Sequence, residues 1–103
     1  MSGVTVTVSW NIKPKSIDAF VATLQDMFKI TRLRPGFRNI RLLRGDIEKS
    51  QFILVEEWDT AQNFYDYMQF RADRGEIEGF LAMITEQPQI GIWNSNPLAH
   101  AQA

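Results

Sequence analysis

The most constraining feature of the sequence is the stretch Phe52–Met68, where an apolar segment runs through a polar turn into an aromatic-rich segment. It starts with four consecutive apolar side chains, which is typical of a strand covered on both faces. Asp59, with Gln62 three residues later, predicts a helix N-terminus, and the helix is expected to run to about Arg71. No other stretch of the sequence joins a buried strand so closely to a cluster of polar and aromatic side chains. We therefore expect any functional site in this stretch.

The N-terminal third predicts a strand and an amphipathic helix. Residues 4–12 alternate strictly between β-branched or aromatic residues and small polar residues, which is the period of a strand. Ser16 is the expected N-cap of the helix that follows. Apolar side chains then recur at helical spacing from Ile17 to Thr31, so the helix packs one stripe against a sheet.

The remaining segments complete a recognisable order. Residues 37–44 predict a second strand, residues 77–84 a short third helix and residues 89–93 a last strand. The order β-α-β-β-α-α-β predicts an α+β fold of the ferredoxin-like, split βαβ type, with a four-stranded antiparallel sheet and helices on one face. Residues 1–93 are expected to form this domain and residues 94–103 a flexible C-terminal tail.

The other face of this sheet has consequences for assembly. It carries apolar side chains that no predicted element covers, and monomers rarely expose large apolar patches. The same face of a second copy is the simplest cover, so we expect a homodimer through the sheet face.

Composition argues against several classes of function. The net charge is −1, whereas nucleic-acid and anionic-membrane partners normally require a basic excess. The N-terminus lacks signal-peptide features and no apolar run approaches the ~20 residues of a membrane span, so we expect a cytoplasmic protein. There is no cysteine, and the only histidine is His100 in the tail. We therefore expect no metal site, no Ser–His–Asp set and no haem ligation by the domain.

Three segments carry a resemblance to a known family. They are the Val-Thr-Val-Ser-Trp-Asn-Ile-Lys-Pro strand before a Phe20-bearing helix, the Arg-Pro-Gly-Phe turn at 34–37, and Phe-Ile-Leu-Val-Glu-Glu-Trp at 52–58 before Asp-Thr. In order and spacing, residues 3–93 resemble the antibiotic biosynthesis monooxygenase domains of the dimeric α+β barrel superfamily. The resemblance implies a pocket between sheet and helices. Members that are enzymes oxidise quinols, anthrones or related polycyclic aromatics with molecular oxygen, without flavin or metal.

The resemblance also implies site residues. Anthrone-type oxygenases place an Asn and an aromatic residue, usually Trp, one turn apart on the helix after this strand, and Asn63 and Tyr67 have that spacing here. Residues at i and i+4 share a helix face, so both can enter one pocket. The first-strand Asn of haem-degrading relatives corresponds to Ser9, or to Asn11 if the register shifts. The expected catalytic residues are therefore Asn63, Tyr67 and Asn11.

The expected substrate-binding residues surround these three. They are Trp58, Ser9, Phe64 and Met68, which offer apolar walls and a polar rim to a small aromatic molecule. Each also has a structural alternative, since Asn63 can belong to a solvated first turn and the aromatic residues to the core.

The predicted function is a cofactor-independent monooxygenase that acts on a quinol-like or polycyclic phenolic substrate. The set of predicted catalytic residues lacks a general base, because no histidine is available and no carboxylate is clearly placed. Glu56 and Glu57 are interpreted as ion-pair partners of the arginines at 32–44 across the hairpin. The alternative is a non-catalytic dimeric ligand-binding or stress-response domain with the same fold.

Overall fold

The computed structural model describes residues 2–103. Its elements in chain order are β1 (Val4–Asn11), a short 3-10 turn (Pro14–Ser16), α1 (Ile17–Thr31), β2 (Phe37–Arg44), β3 (Gln51–Trp58), α2 (Ala61–Asp73), α3 (Ile77–Leu81) and β4 (Gln89–Asn94). The four strands form one antiparallel sheet in the order β2-β3-β1-β4. This confirms the predicted α+β, ferredoxin-like fold.

The face of the sheet beneath the helices holds the core. Val8 of β1 and Leu42 of β2 flank Leu54 of β3 in register, and α1 covers them with Phe20, which is fully buried. The ring of Phe20 packs edge-on against Trp10 with ring centroids 5.3 Å apart. The predicted apolar stripe of α1 is therefore confirmed as the stripe that meets the sheet.

The opposite face, called the outer face here, has no helix over it. Because successive strand residues point to opposite faces, β1 presents Thr5, Thr7 and Ser9 there, and β3 presents Ile53 and Val55. Two larger apolar side chains lie among them and are exposed, Leu43 at 43% and Trp93 at 60%.

Helix α2 begins differently from the sequence expectation. Thr60, in extended conformation, is the N-cap, and its Oγ1 accepts a hydrogen bond of 3.1 Å from the backbone N–H of Asn63. Asp59 instead accepts a 2.6 Å hydrogen bond from Arg38 Nε, so the predicted cap at Asp59 was wrong. The cap lies one residue further on because the carboxylate is engaged by the neighbouring strand.

The C-terminal segment is tied to β1 at its start. Strand β4 includes Asn94, and the N–H of Ser95 then donates to the carbonyl of Gly3 at 3.2 Å. The hydroxyls of Ser95 and Thr5 are also hydrogen-bonded, at 2.9 Å. None of the helices found in residues 2–103 has both the length and the apolar character that crossing a membrane requires.

Candidate functional site

A cavity of about 120 Å³ lies between the sheet and all three helices. Its wall is made mainly of aromatic and aliphatic side chains, among them Trp10, Phe28 and Phe80. Within residues 2–103, the polar side chains in this wall are Glu56, Tyr67 and Arg71. A small apolar enclosure with a few convergent polar groups is the usual form of a ligand site.

Glu56 is the carboxylate of this cavity. It lies on the helix-covered face of central strand β3 and is only 2% exposed. Its Oε1 accepts a 3.0 Å hydrogen bond from Trp58 Nε1. Burial raises the pKa of Glu56 to about 7, while the bond from Trp58 and the charge of Arg71 act in the opposite direction.

Tyr67 and Arg71 form a buried polar network at one end of the cavity. Arg71 Nε donates to the Tyr67 hydroxyl at 3.0 Å, and the same hydroxyl is 2.8 Å from Thr31 Oγ1. Arg71 Nη2 donates to Thr31 Oγ1 at 2.9 Å and to the carbonyl of Met27 at 2.8 Å. The network therefore joins α2 to the last turn of α1.

The charge of Arg71 is balanced outside the cavity. Its Nη1 donates to Glu76 Oε2 at 2.7 Å, and Arg74 Nε donates to Glu76 Oε1 at 2.5 Å. Partial burial acts to raise the pKa of Glu76, but the bonds from Arg74 and Arg71 lower it overall. Burial raises the pKa of Tyr67, against the effect of its bonds to Thr31 and Arg71, so Tyr67 is a neutral phenol.

The predicted aromatic residues occupy different depths. Tyr67 and Met68 line the cavity. Trp58 is fully buried, with its ring centroid 5.0 Å from that of Tyr67 and 5.6 Å from that of Phe37. Phe64 is a core residue with 2% exposure. Trp58 and Phe64 are thus core residues that pack behind the cavity wall and do not line the cavity.

Asn63 lies in the first turn of α2, on the turn and not in the cavity wall. Its Oδ1 accepts a 2.8 Å hydrogen bond from Thr60 Oγ1. Its side chain packs over Gly36, whose φ of 79° and lack of Cβ allow the close approach. Asn63 and Tyr67 lie on the same side of α2, as predicted. Tyr67 is one helical turn further along, however, and only Tyr67 reaches the cavity.

Ser9 and Asn11 do not share a cavity with Tyr67. They are out of phase with Val8 and Trp10, so they point to the outer face of the sheet. There they border a second, more open cavity of about 530 Å³, and the Asn11 amide donates to Glu86. The expectation of one pocket containing all the predicted residues was therefore wrong, because the two sheet faces separate them.

The interpretation of Glu56 as an arginine partner was also wrong. Among residues 2–103, the ion pair of the hairpin arginines is Arg38 with Asp59, and Arg44 donates to the carbonyl of Lys49. Glu56 and Arg71 are the functional candidates that sequence reasoning missed. Both had a signal: Glu56 is in phase with Leu54 and Trp58, and Arg71 lies one turn after Tyr67.

The fold and the cavity together define a ferredoxin-like α+β domain with a ligand-sized enclosure between sheet and helices. The model of the antibiotic biosynthesis monooxygenase family matches residues 3–72, which is more than half of the chain. The chain belongs to the antibiotic biosynthesis monooxygenase family. The matched range runs from β1 to residue 72 of α2 and therefore includes Glu56, Tyr67 and Arg71.

Solved structures show the same fold at low sequence identity. A conserved protein from Methanosarcina mazei Go1 is 12% identical, with 93% of this chain and 95% of that chain covered and a TM-score of 0.85. Two proteins named after the same family are also similar. The one from Nitrosomonas europaea is 16% identical, with 91% of each chain covered and a TM-score of 0.81. The one from Deinococcus radiodurans is 12% identical, with 97% and 99% covered and a TM-score of 0.83.

No curated protein matches the chain significantly. At these identities the structural matches show the fold alone, and the fold does not name a substrate.

Proposed function

We propose that the protein is a cofactor-independent monooxygenase that oxidises a quinol-like or phenolic ring with molecular oxygen. The observation that carries this proposal is the apolar, aromatic-walled cavity between sheet and helices, with the phenol of Tyr67 in its wall. An apolar wall favours a flat ring and molecular oxygen and excludes water from reactive intermediates. The membership of the family supports the same reaction class.

The reaction needs no external reductant. Deprotonation of the ring hydroxyl makes an electron-rich aryloxide, whose ortho or para C–H carbon transfers an electron to oxygen and then bonds to it. The resulting peroxide loses water. One oxygen atom of O₂ becomes the new carbonyl and the other leaves as water, so the four electrons taken up by O₂ all come from the substrate.

The size of the cavity limits the size of the substrates that can bind. At about 120 Å³ it is smaller than the roughly 300–1,000 Å³ of sites for drug-sized ligands. This favours one-ring quinols and phenols over polycyclic substrates. Tyr67 is the expected hydrogen-bond donor to the substrate oxygen. Thr31 Oγ1 donates its own hydrogen to the Met27 carbonyl, so the Tyr67 hydroxyl donates to Thr31 and would turn this hydrogen to the substrate on binding.

We expect oxygen-dependent product formation from at least one member of a panel of quinols, phenols and anthrones, with one labelled atom from isotopic O₂ in the product. Tyr67→Phe should lower kcat/KM by about 100-fold, since it removes a donor to the developing oxyanion. Tyr65→Phe is the matched control, because Tyr65 lies on the same helix and is 53% exposed. Turnover that is insensitive to Tyr67→Phe would contradict the assigned role.

A second candidate function is ligand binding without turnover. The observation that favours it is the engagement of Asn63 by Thr60, which keeps this amide at the turn. Binding of panel members without oxygen consumption or product would select this function over the first.

We also propose that the outer face is the contact surface of a homodimer. Ile53 and Val55 of β3, with Leu43 beside Ile53 on β2, form an apolar strip on this face. Trp93 adds an exposed aromatic ring on edge strand β4, on the far side of Thr5. In an isologous dimer the apolar strip of one subunit packs against the same strip of the other, so each strip is covered.

Sedimentation of the wild-type protein at micromolar concentration is expected to give the mass of a dimer. Val55→Lys should give a monomer, because it places a charge at the centre of the contact. Leu33→Lys should remain dimeric, since Leu33 is 75% exposed at the end of α1 and off the sheet. A monomeric wild-type protein would refute the outer-face contact.

A further inference from the structure

The placement of Glu56 is unusual for a carboxylate. It occupies the central strand of the sheet, with Val6 on one neighbouring strand and Ile40 on the other. A glutamate at such a position loses nearly all its hydration, and the fold retains it only with a compensating interaction or a function. The hydrogen bond from Trp58 engages one oxygen, and Glu56 borders the cavity.

The groups that face Glu56 leave its charge without a direct counter-ion. On α1, β1, β2 and α3 the side chains lining the cavity are apolar. The titratable and charged groups facing it are Tyr67 and Arg71, both on α2. Arg71 directs its donors to Glu76, Tyr67, Thr31 and Met27, and no ion pair of residues 2–103 includes Glu56.

We propose that Glu56 is the general base of the cavity and takes the proton from the hydroxyl of a phenol or quinol ring bound against it. This rests on the proposed function and supplies the group that the sequence did not reveal. The O–H bond of the ligand breaks, an O–H bond forms on the Glu56 carboxylate, and no electrons are exchanged in this step.

The electrostatics of the cavity favour this transfer. Before it, the negative charge is on Glu56; after it, the charge is on the ligand, so the low-dielectric cavity gains no net charge. Arg71 is near enough to lower the energy of either anion. Glu56 returns its proton when the second oxygen atom of O₂ leaves as water, which regenerates the carboxylate. A base with a pKa of about 7 is matched to neutral pH.

The binding test uses para-nitrophenol, whose absorption distinguishes phenol from phenolate, under nitrogen so that no oxidation occurs. At neutral pH, wild-type protein is expected to bind the probe with a clear phenolate band. Glu56→Gln should still bind the probe but lose the proton that Glu56 takes up when the probe binds as an anion. Above about pH 7 the affinity of the wild type should therefore fall about tenfold per pH unit, whereas that of Glu56→Gln should not change. The amide keeps an acceptor for Trp58 Nε1, so the fold is preserved. Glu48→Gln, in the exposed hairpin loop, makes the same chemical change away from the cavity and should behave as wild type.

The kinetic test uses the best panel substrate. For wild type, kcat/KM should rise with pH through about 7 as Glu56 ionises. Glu56→Gln should lose about 100-fold or more in kcat/KM together with this pH dependence. Glu56→Asp, which restores a carboxylate on a shorter side chain, should recover part of both signals. If the far-UV circular dichroism spectrum shows that Glu56→Gln does not fold, Glu56→Asp tests the role of the carboxylate in its place.

The outcomes separate this inference from the proposed function. A Glu56-dependent uptake of a proton on probe binding, without any oxygen consumption, supports the base and overturns the monooxygenase. Turnover with an unchanged pH profile in Glu56→Gln overturns the base and supports the monooxygenase. Absence of both probe binding and turnover overturns both.

Discussion

Replacing Arg71 with methionine is expected to lower the free energy of unfolding by about 3 kcal/mol or more. Arg71 is 1% exposed, and its guanidinium donates to two side-chain hydroxyls, one carbonyl and one carboxylate on three different segments. Methionine fills similar space but leaves the Tyr67 and Thr31 hydroxyls with one charged donor fewer. The loss falls on the junction between α1 and α2, which forms one end of the cavity.

The matched control is Arg74→Met. Arg74 pairs with the same carboxylate, Glu76, but its side chain is 48% exposed, so its pair is worth at most about 1 kcal/mol. Urea unfolding followed by circular dichroism, at one fixed protein concentration, compares the two variants. Equal shifts of the two midpoints would show that the hydrogen bonds inside the network contribute little beyond the ion pair. Arg71→Lys should be intermediate, because it keeps the charge but not the planar set of donors.

The architecture was predictable because each element has a clear period. Strict alternation in residues 4–12 and helical spacing from Ile17 to Thr31 are signals that local sequence carries alone. The exact start of α2 was not predictable, since Asp59 and Thr60 are both good caps. The choice depends on Arg38, which lies far away in sequence and engages Asp59.

The site was predictable only in part. Tyr67 and Met68 lie in the cavity. Tyr67 was expected from the family resemblance, and Met68 from the aromatic and Met-rich composition of the helix. The role given to Ser9 and Asn11 required a pocket that includes both faces of β1, which the period of a strand excludes. The alternation of side chains along β1 already places Ser9 and Asn11 on the face opposite to Val8. Their assignment to the pocket came from the family resemblance.

Glu56 and Arg71 were missed for a different reason. Strand β3 itself was expected to be covered on both faces, but its two glutamates were interpreted as ion-pair partners of the hairpin arginines, because charged residues are rarely buried. Once β3 lies between β1 and β2, Glu56 has to be buried, and burial changes its chemistry from ion-pair partner to candidate base. The chemistry thus depends on sheet order, which is a long-range property.

The second large effect is a stability that decreases as pH rises. Glu56 has a pKa of about 7 in the folded state against 4.5 as its ordinary value, so the folded state binds this proton more tightly than the unfolded state. Its contribution is therefore fully present below about pH 4.5, is lost between there and about pH 7, and is absent above. The upper limit of the loss is about 3 kcal/mol, from the difference between the two pKa values.

Glu56→Gln should remove this loss, because a neutral amide has no proton to release. Above about pH 7 the variant is therefore expected to be more stable than the wild type, and the gap should close towards about pH 4.5. Urea midpoints measured across this window, with Glu48→Gln as the exposed carboxylate control, isolate the buried group. A constant gap at all pH values would mean that Glu56 has the same pKa in the folded and the unfolded states and is not shifted towards 7 by burial. The same destabilisation of the carboxylate that weakens the fold above pH 7 is what would make Glu56 a strong enough base to take a proton from a phenol.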